Sequence, residues 1–299
     1  MEFRLPLGQW ADSFVDFLTD VLGPLFTGIS TLFRGLYDGV DFALATPPFW
    51  IVILAIAALG MLLRGWIFGG GTAVALVVVY GVDQWENAMD TLALVIVAAG
   101  IAVLLSVPLG ILAARHRTAS AVIKPVLDFM QTMPAFVYLI PALILFRVGV
   151  VPGIVATIIF AMAPGVRLTE LGIRGVDKEI VEAGSAFGST PGRILRQIQL
   201  PLAAPSIFAG INQVIMLSLS MVVIAGMVGA GGLGKDIVQA LSRVDVGLGF
   251  EAGLSVVILA IILDRLTASL GAPRTHRLLP TRAPKTTSES TASGRRVHA

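Results

Sequence analysis

Residues 177–205 read DKEIVEAGSAFGSTPGRILRQIQLPLAAP. The segment is too polar to cross a bilayer and too regular for an unstructured loop. Asp177 is placed to cap a helix running through Phe187, with Gly188 as its stop. Ile180, Ala183, Gly184 and Phe187 fall on one helical face, and Lys178, Glu179, Glu182 and Ser185 on the other. Thr190-Pro191 repeats the start signal, a cap followed by proline in the first turn. The second helix carries Ile194, Leu195 and Ile198 on one side and Arg193, Arg196 and Gln197 on the other, and Pro201 is expected to end it. Two short amphipathic helices joined by small residues suit docking into a groove on another protein. The plainer alternative is a helix pair lying on the lipid surface.

On either side of this segment the chain is strongly apolar. Of 299 residues, 56% are hydrophobic and 13% charged, with mean hydropathy +0.88. A soluble domain carries about 25% charged residues. The apolar residues are bunched into long runs, as membrane-spanning helices require. Seven runs are readable, at about 49–64, 66–82, 88–114, 126–148, 152–168, 204–228 and 247–270. The expected fold is therefore all-α and polytopic, with two N-terminal spans in 49–83 and a core over 84–270 that contains the polar segment 177–205. Residues 1–48 form a mixed N-terminal tail. Within it Trp10, Phe14, Phe17, Leu18, Val21, Leu22 and Leu25 recur at helical spacing opposite Asp12, Asp16 and Asp20, as in a helix lying in the membrane interface or packed on the protein's own surface. Pro47-Pro48 breaks the chain there. Residues 271–299 are rich in Pro, Ser, Thr and Arg and read as a disordered basic tail.

Seven spans put the two ends on opposite sides. Arg115, Arg117 and Lys124, then Arg174, Lys178, Arg193 and Arg196, then Arg274, Arg277, Arg282 and Lys285 all fall on one side in that count. Lys and Arg mark the cytoplasmic side. The N-terminus is therefore expected outside and the C-terminus in the cytoplasm. The start, MEFRLPLGQWADSF, has no basic region leading into a short apolar core, so no cleaved signal peptide is expected.

Several chemistries are disfavoured. There is no cysteine, and His116, His276 and His298 are far apart, so no metal site is expected. A net charge of +2 gives no support for nucleic-acid binding. Residues 229–236, GAGGLGKD, fit seven positions of a phosphate-binding loop and place Asp236 where the magnesium-binding hydroxyl belongs. They follow a membrane span rather than a strand, so the glycines are read as a reversal at the membrane surface and no nucleotide site is expected. No catalytic triad or carboxylate pair is apparent.

Within the spans, Met133, Pro134, Tyr138 and Pro141, together with Asn212, Gln213 and Ser218, are candidates to line a translocation path; helix shaping by the prolines and helix–helix hydrogen bonding are the alternatives. Pro108 is read in the same way as a helix kink. Met216, Met221 and Met227 are read as packing residues. Arg167, Glu170, Asp264 and Arg265 are read as side chains reaching from span ends to the interface, and Glu251 as an interfacial acid.

The polar segment resembles the EAA loop of ATP-binding-cassette importer permeases, E-A-A-x-x-x-G followed after nine residues by I-x-L-P. Glu182, Ala183, Gly188, Ile198, Leu200 and Pro201 match in register, with Gly184 in place of the second alanine and Ser185 next to it. The stretches VLDFMQTMPAFVYLIPALILF, RLTELGIRGVD, GINQVIMLSLSMVVIAGMVGAGGLG and LGFEAGL extend the likeness over about 50–270. They are similar to the permease subunit of glycine betaine/proline betaine importers. The resemblance implies a type I importer transmembrane fold whose EAA loop is the coupling helix seated in a cleft of a separate ATPase. It also implies two ATPase copies, a second permease copy, an extracytoplasmic binding protein on a separate chain, and an inner-membrane location. ATP and Mg would then be used by the partner, with no cofactor on this chain. Importers of methionine or an oxyanion share the loop. A secondary transporter is the alternative of a different class, but neither a midplane acid nor an inverted repeat is evident.

Overall fold

The computed structural model describes residues 6–271, apart from the side chains of Leu7 and Ala11. The parts of the two tails at residues 1–5 and 272–299 lie outside the described residues. Every regular element among the described residues is helical. In order these are α1 (Leu7–Ala45), α2 (Phe49–Arg64), α3 (Trp66–Gly81), α4 (Trp85–Arg115), α5 (Arg117–Thr132), α6 (Ala135–Phe146) and α7 (Val150–Arg174). Then follow α8 (Lys178–Ala186), α9 (Pro191–Ile194), a π turn at Leu195–Gln199, α10 (Leu200–Ser220), α11 (Val222–Met227), α12 (Gly232–Arg243) and α13 (Val246–Gly271).

Four helical stretches are long and apolar enough to cross a membrane: α4, α7, the continuous run Pro191–Met227, and α13. Two bent pairs also qualify when each is taken as one span, α1 with α2 and α5 with α6, and α3 is a shorter apolar helix. Large apolar side chains stand outward on these elements, among them Leu62, Trp66, Ile67 and Leu104, as lipid-facing residues do.

The centre is the packing of α4, α7 and α10 on one another, and small residues make it possible. Ala93, Ala98, Ala102 and Ala161 are fully buried there beside Ile154 and Val214. A Cβ at Gly165 would lie 2.5 Å from Ser106 Oγ, one at Gly110 2.5 Å from Thr169 Cβ, and one at Gly172 2.7 Å from Ser206 Cβ. Lipid supplies no hydrophobic drive between helices, so close backbone approach and dispersion must hold them. A second apolar cluster seats the α2–α3 hairpin against α4, α12 and α13 through Leu76, Val79, Met89, Leu233 and Leu259.

The structure departs from the sequence expectation at four places. First, the stripe from Trp10 to Leu25 belongs to a helix of 39 residues that runs through Pro24 to Ala45. Its second half enters the core at Tyr37, and Phe26 meets Phe146 of α6 edge-on at 5.6 Å. The chain then turns by 100° into α2 at Thr46–Pro48.

Second, the run at 126–148 is not one straight span. It breaks at Met133–Pro134, where α5 and α6 meet at 99°. Met133 is extended (ψ 136°), as the residue before a proline prefers. The stretch Arg117–Lys124, between the expected runs 88–114 and 126–148, is the start of α5, an amphipathic helix with Leu127, Ile123 and Met130 against the core. Pro108 and Pro141, by contrast, sit inside unbroken helices.

Third, Pro201 does not end the helix before it. The π turn widens the helix so that Leu200 N–H donates to Leu195 O, and the helix continues into α10. A wider turn accommodates a residue that has no N–H and whose ring presses on the preceding carbonyls.

Fourth, the run at 204–228 stays one span within Pro191–Met227, but its helix changes at Met221, where α10 gives way to α11. Beyond α11 the glycine-rich stretch reverses the chain, with Gly229, Gly231 and Gly232 at φ 86°, 77° and 65°. α12 is clasped to the start of α4: Leu233 N–H donates to Thr91 Oγ1 at 2.9 Å, and Asn87 Nδ2 to Asp236 Oδ2 at 2.7 Å.

Candidate coupling site

α7 ends at Arg174, and only Gly175, Val176 and Asp177 separate it from α8. Asp177 caps α8 by accepting Glu179 N–H at 2.9 Å, which satisfies one of the free donors of the first turn. The C-terminus closes on a Schellman motif. Gly188 N–H donates to Ser185 O at 2.9 Å, Ser189 N–H to Gly184 O at 3.1 Å, and Gly188 adopts φ +79°. Glycine takes that left-handed position without a Cβ penalty.

The second half of the segment is the anchored half. Ile194 and Leu195 are buried, and Leu195 joins Ile173 of α7 and Ala203 of α10 in a small apolar cluster extended by Ile111, Ala114, Val176, Leu200 and Ile207. α8 rests on this base at one point. A Cβ at Gly184 would lie 2.7 Å from Ile198 Cδ1 and 3.6 Å from Ile194 Cγ1, so a residue with no side chain is needed where α8 meets the π turn.

Elsewhere α8 is free. No residue of it is buried. Glu182, Ala183 and Ser185 are exposed, and Ile180 and Phe187 are 45% and 91% exposed. Nothing stands within 4 Å of a Cβ placed at Gly188. Beside the tip is a polar hollow of about 590 Å³ lined by Arg115, Arg193 and Arg196 together with Gly188, Thr190 and Gln197. Pro201 is exposed and Leu200 half-buried at the entry to α10. Glu182, Ala183, Ser185 and Gly188 therefore lie on the exposed part of the segment, Gly184 and Ile198 where its two halves meet, and Leu200 and Pro201 at the entry to α10.

The other candidate set is divided. Met133 and Tyr138 lie in a cluster with Leu139, Ala156, Met221 and Val228 at the α5–α6 break. The Tyr138 hydroxyl donates to Met130 O across that break. Pro134 caps α6 and is exposed, and Pro141 lies inside it. Asn212 faces α13 instead: its Nδ2 donates to Asp264 Oδ1 at 2.9 Å, and its Oδ1 accepts from Thr267 Oγ1 at 2.6 Å. Gln213 is exposed, and Ser218 is fully buried with its hydroxyl on Val214 O of the same helix.

Two carboxylates read as interfacial have partners on other helices, and Glu170 is buried. Asp264 takes the Asn212 amide. Glu170 is only 4% exposed and is held by Ser120, Lys124 and Arg174. A carboxylate is too short to reach water from such a position and must find donors locally. Acidic residues at span ends were the available signal; Arg174 is one turn from Glu170, but Ser120 and Lys124, like Asn212 for Asp264, come from helices distant in sequence. No group of three or more His, Asp or Glu able to hold a metal occurs among the described residues.

A helical membrane core that carries an exposed, capped α8 on an anchored second half, between the central spans α7 and α10, is that of a permease subunit. The chain belongs to the family described as "Binding-protein-dependent transport system inner membrane component", which its residues 106–273 match. It is 48% identical over 267 residues to the glycine betaine/carnitine transport permease protein GbuB of Listeria monocytogenes, covering 88% of this chain and 94% of that one. It is 43% identical over 278 residues to the glycine betaine transport system permease protein OpuAB of Bacillus subtilis, covering 92% and 97%. Among solved structures, a chain of the MetNI methionine ABC transporter in an inward-facing conformation matches with TM-score 0.57 at 21% identity, over 63% of this chain and 94% of that one. That likeness concerns the fold.

Proposed function

We propose that this chain is the membrane permease of an ATP-driven, binding-protein-dependent importer of glycine betaine or a related quaternary ammonium solute. The observation that carries the coupling part is α8: a helix fully capped at both ends that buries none of its own residues. A nine-residue helix is too short to persist on propensity alone, so its exposed apolar residues, Ile180 and Phe187, call for a partner surface. That partner is a separate ATPase, which binds ATP and Mg, while this chain holds no cofactor. Glu182 meets a basic or amide group of the ATPase cleft, and Phe187 enters an apolar part of it. The substrate class rests on the printed functions of GbuB and OpuAB. A separate extracytoplasmic binding protein delivers the solute, through a site suited to cation–π contact with a quaternary ammonium group. Two permeases pair with two ATPases, with the N-terminus outside and the C-terminus in the cytoplasm. The residues around Met133, Pro134, Tyr138 and Pro141 line part of the path.

The test is reconstitution in proteoliposomes with the partner ATPase and binding protein, followed by uptake of labelled solutes. Glycine betaine or a close quaternary ammonium analogue should accumulate only with internal ATP and with the binding protein present. Uptake of methionine or an oxyanion in its place, or uptake driven by an ion gradient without ATP, would replace this reading.

A further inference from the structure

α5 lies against the part of α7 that adjoins α8, and two charged rungs join them. On the first, Glu170 accepts from Ser120 Oγ at 2.8 Å and pairs with Lys124 Nζ at 3.2 Å. On the second, Asp128 of α5 pairs with Arg167 of α7. The order is crossed. Lys124 precedes Asp128 by about one turn on α5, whereas Arg167 precedes Glu170 by about one turn on α7. The signs therefore match only when the two helices run antiparallel in this register. A slip of one turn puts Lys124 beside Arg167, or Asp128 beside Glu170. Ile123, Leu127 and Met130 of α5 fill the space beneath, against Ala163 and Val166.

Glu170 is the joint of this arrangement. Its side chain is 5% exposed, against 51% for Lys124 and 38% for Arg174. Arg174, which also pairs with Glu170 at 3.2 Å, donates to Ala113 O of α4 at 2.7 Å. Three helices thus meet on one buried carboxylate, one turn from the point where α7 gives way to the α8 segment. At the far end of α5, the Tyr138 hydroxyl bonds back to Met130 O across the Met133–Pro134 break.

We infer that Glu170 is a positioning residue which, with the Asp128–Arg167 pair, locks α5 to α7 as a single lever carrying displacement of α8 to the break between α5 and α6. This rests on the reading of α8 as the ATPase-docking helix, and adds to it the route by which docking moves the membrane core. Rotation of α8 tilts the end of α7. The crossed charges then oblige α5 to follow without slipping, and the 99° bend converts that tilt into movement of α6.

The experiment uses the full permease–ATPase–binding-protein complex in proteoliposomes and reads solute taken up per ATP hydrolysed. Asp128→Arg and Arg167→Asp are made singly and together, alongside Glu170→Gln. Asp128 and Arg167 side chains are 65% and 40% exposed, so folding should tolerate either change. Each single variant and Glu170→Gln should retain the ATPase yet lose about fivefold or more in uptake per ATP, the scale of a modest coupling free energy. The double reversal should recover to within about twofold, because it restores the pair without restoring either residue. A merely local staple predicts a wild-type ratio in every variant that still folds and retains the ATPase. Wild-type ratios in the single variants and in Glu170→Gln, or a double reversal as poor as its parents, would overturn the lever. So would loss of ATPase retention with an unchanged ratio. Wild-type complexes that fail to bind the ATPase or to take up solute would instead remove the functional reading beneath it, and that result precedes any variant.

Discussion

Gly234 has no room for a methyl group. A Cβ there would lie 2.1 Å from Val222 O, and one at Gly226 would lie 2.3 Å from the backbone carbon of Gly234. The backbones of α11 and α12 touch, so neither neighbour is a flexible side chain that could yield. Gly234→Ala must push the two helices apart, and overpacking of this kind costs about 1–3 kcal/mol. The expected outcome is a lowered melting temperature of the purified permease in detergent, with loss of the clasp between Leu233 N–H and Thr91. Lys235, one position on, is exposed. Lys235→Gln should leave both melting temperature and ATP-driven uptake close to wild type. A collapse of ATP hydrolysis in that variant, with assembly normal, would reopen the phosphate-loop reading of residues 229–236. The resemblance to a phosphate loop arises because helices in backbone contact and chain reversals both select glycine, as a phosphate cradle does.

Among the helices, the segment at 177–205 was legible because its signals are local. Asp177, Gly188 and Thr190-Pro191 each act on the backbone within a turn of themselves, and the structure has helix ends at all three. The break between α5 and α6 was less legible. Apolar content runs on without a gap through 126–148, and hydropathy counts composition, not direction. Pro134 resembles Pro108 and Pro141 in sequence, yet those two sit within unbroken helices. Glu170 was misread for the same reason. It looks like a surface acid until α5 folds over it, and α5 lies there only because the chain turns at Met133–Pro134. On α8 the consequences can be tested directly. Glu182→Lys reverses an exposed charge, and Gly188→Trp adds bulk to an open position while placing a side chain at φ +79°. Neither residue lies in a span, so membrane insertion should be unchanged. Both variants should reduce the ATPase retained on affinity-purified permease, or leave hydrolysis running without uptake. Wild-type retention together with wild-type uptake per ATP in both would detach α8 from the ATPase. Gly184→Leu should act differently, lifting α8 from Ile198 and lowering retention through loss of its seat.

At the scale of the whole molecule, the charges and the helix directions have to agree on one orientation. The exposed α8 projection, the basic hollow of Arg115, Arg193 and Arg196, and the start of α5 at Arg117 share one end of the α4–α7–α10 centre, because α4 ends, and α10 begins, at that end. The clasp of Asn87 and Thr91 on the start of α12 lies at the opposite end of α4. Lys and Arg near span ends are retained on the cytoplasmic side. The α8 end should therefore face the cytoplasm, where ATP is. α1 precedes the two N-terminal helices, so the region around Ser13 should stand outside and the residues after α13 inside. The chain contains no cysteine, which makes the measurement clean. Ser13→Cys and Ser288→Cys, made separately in intact cells, should label from opposite sides with an impermeant thiol reagent. Ser13→Cys should react at once, and Ser288→Cys only after the membrane is opened. Equal labelling of both from outside would require an even number of crossings.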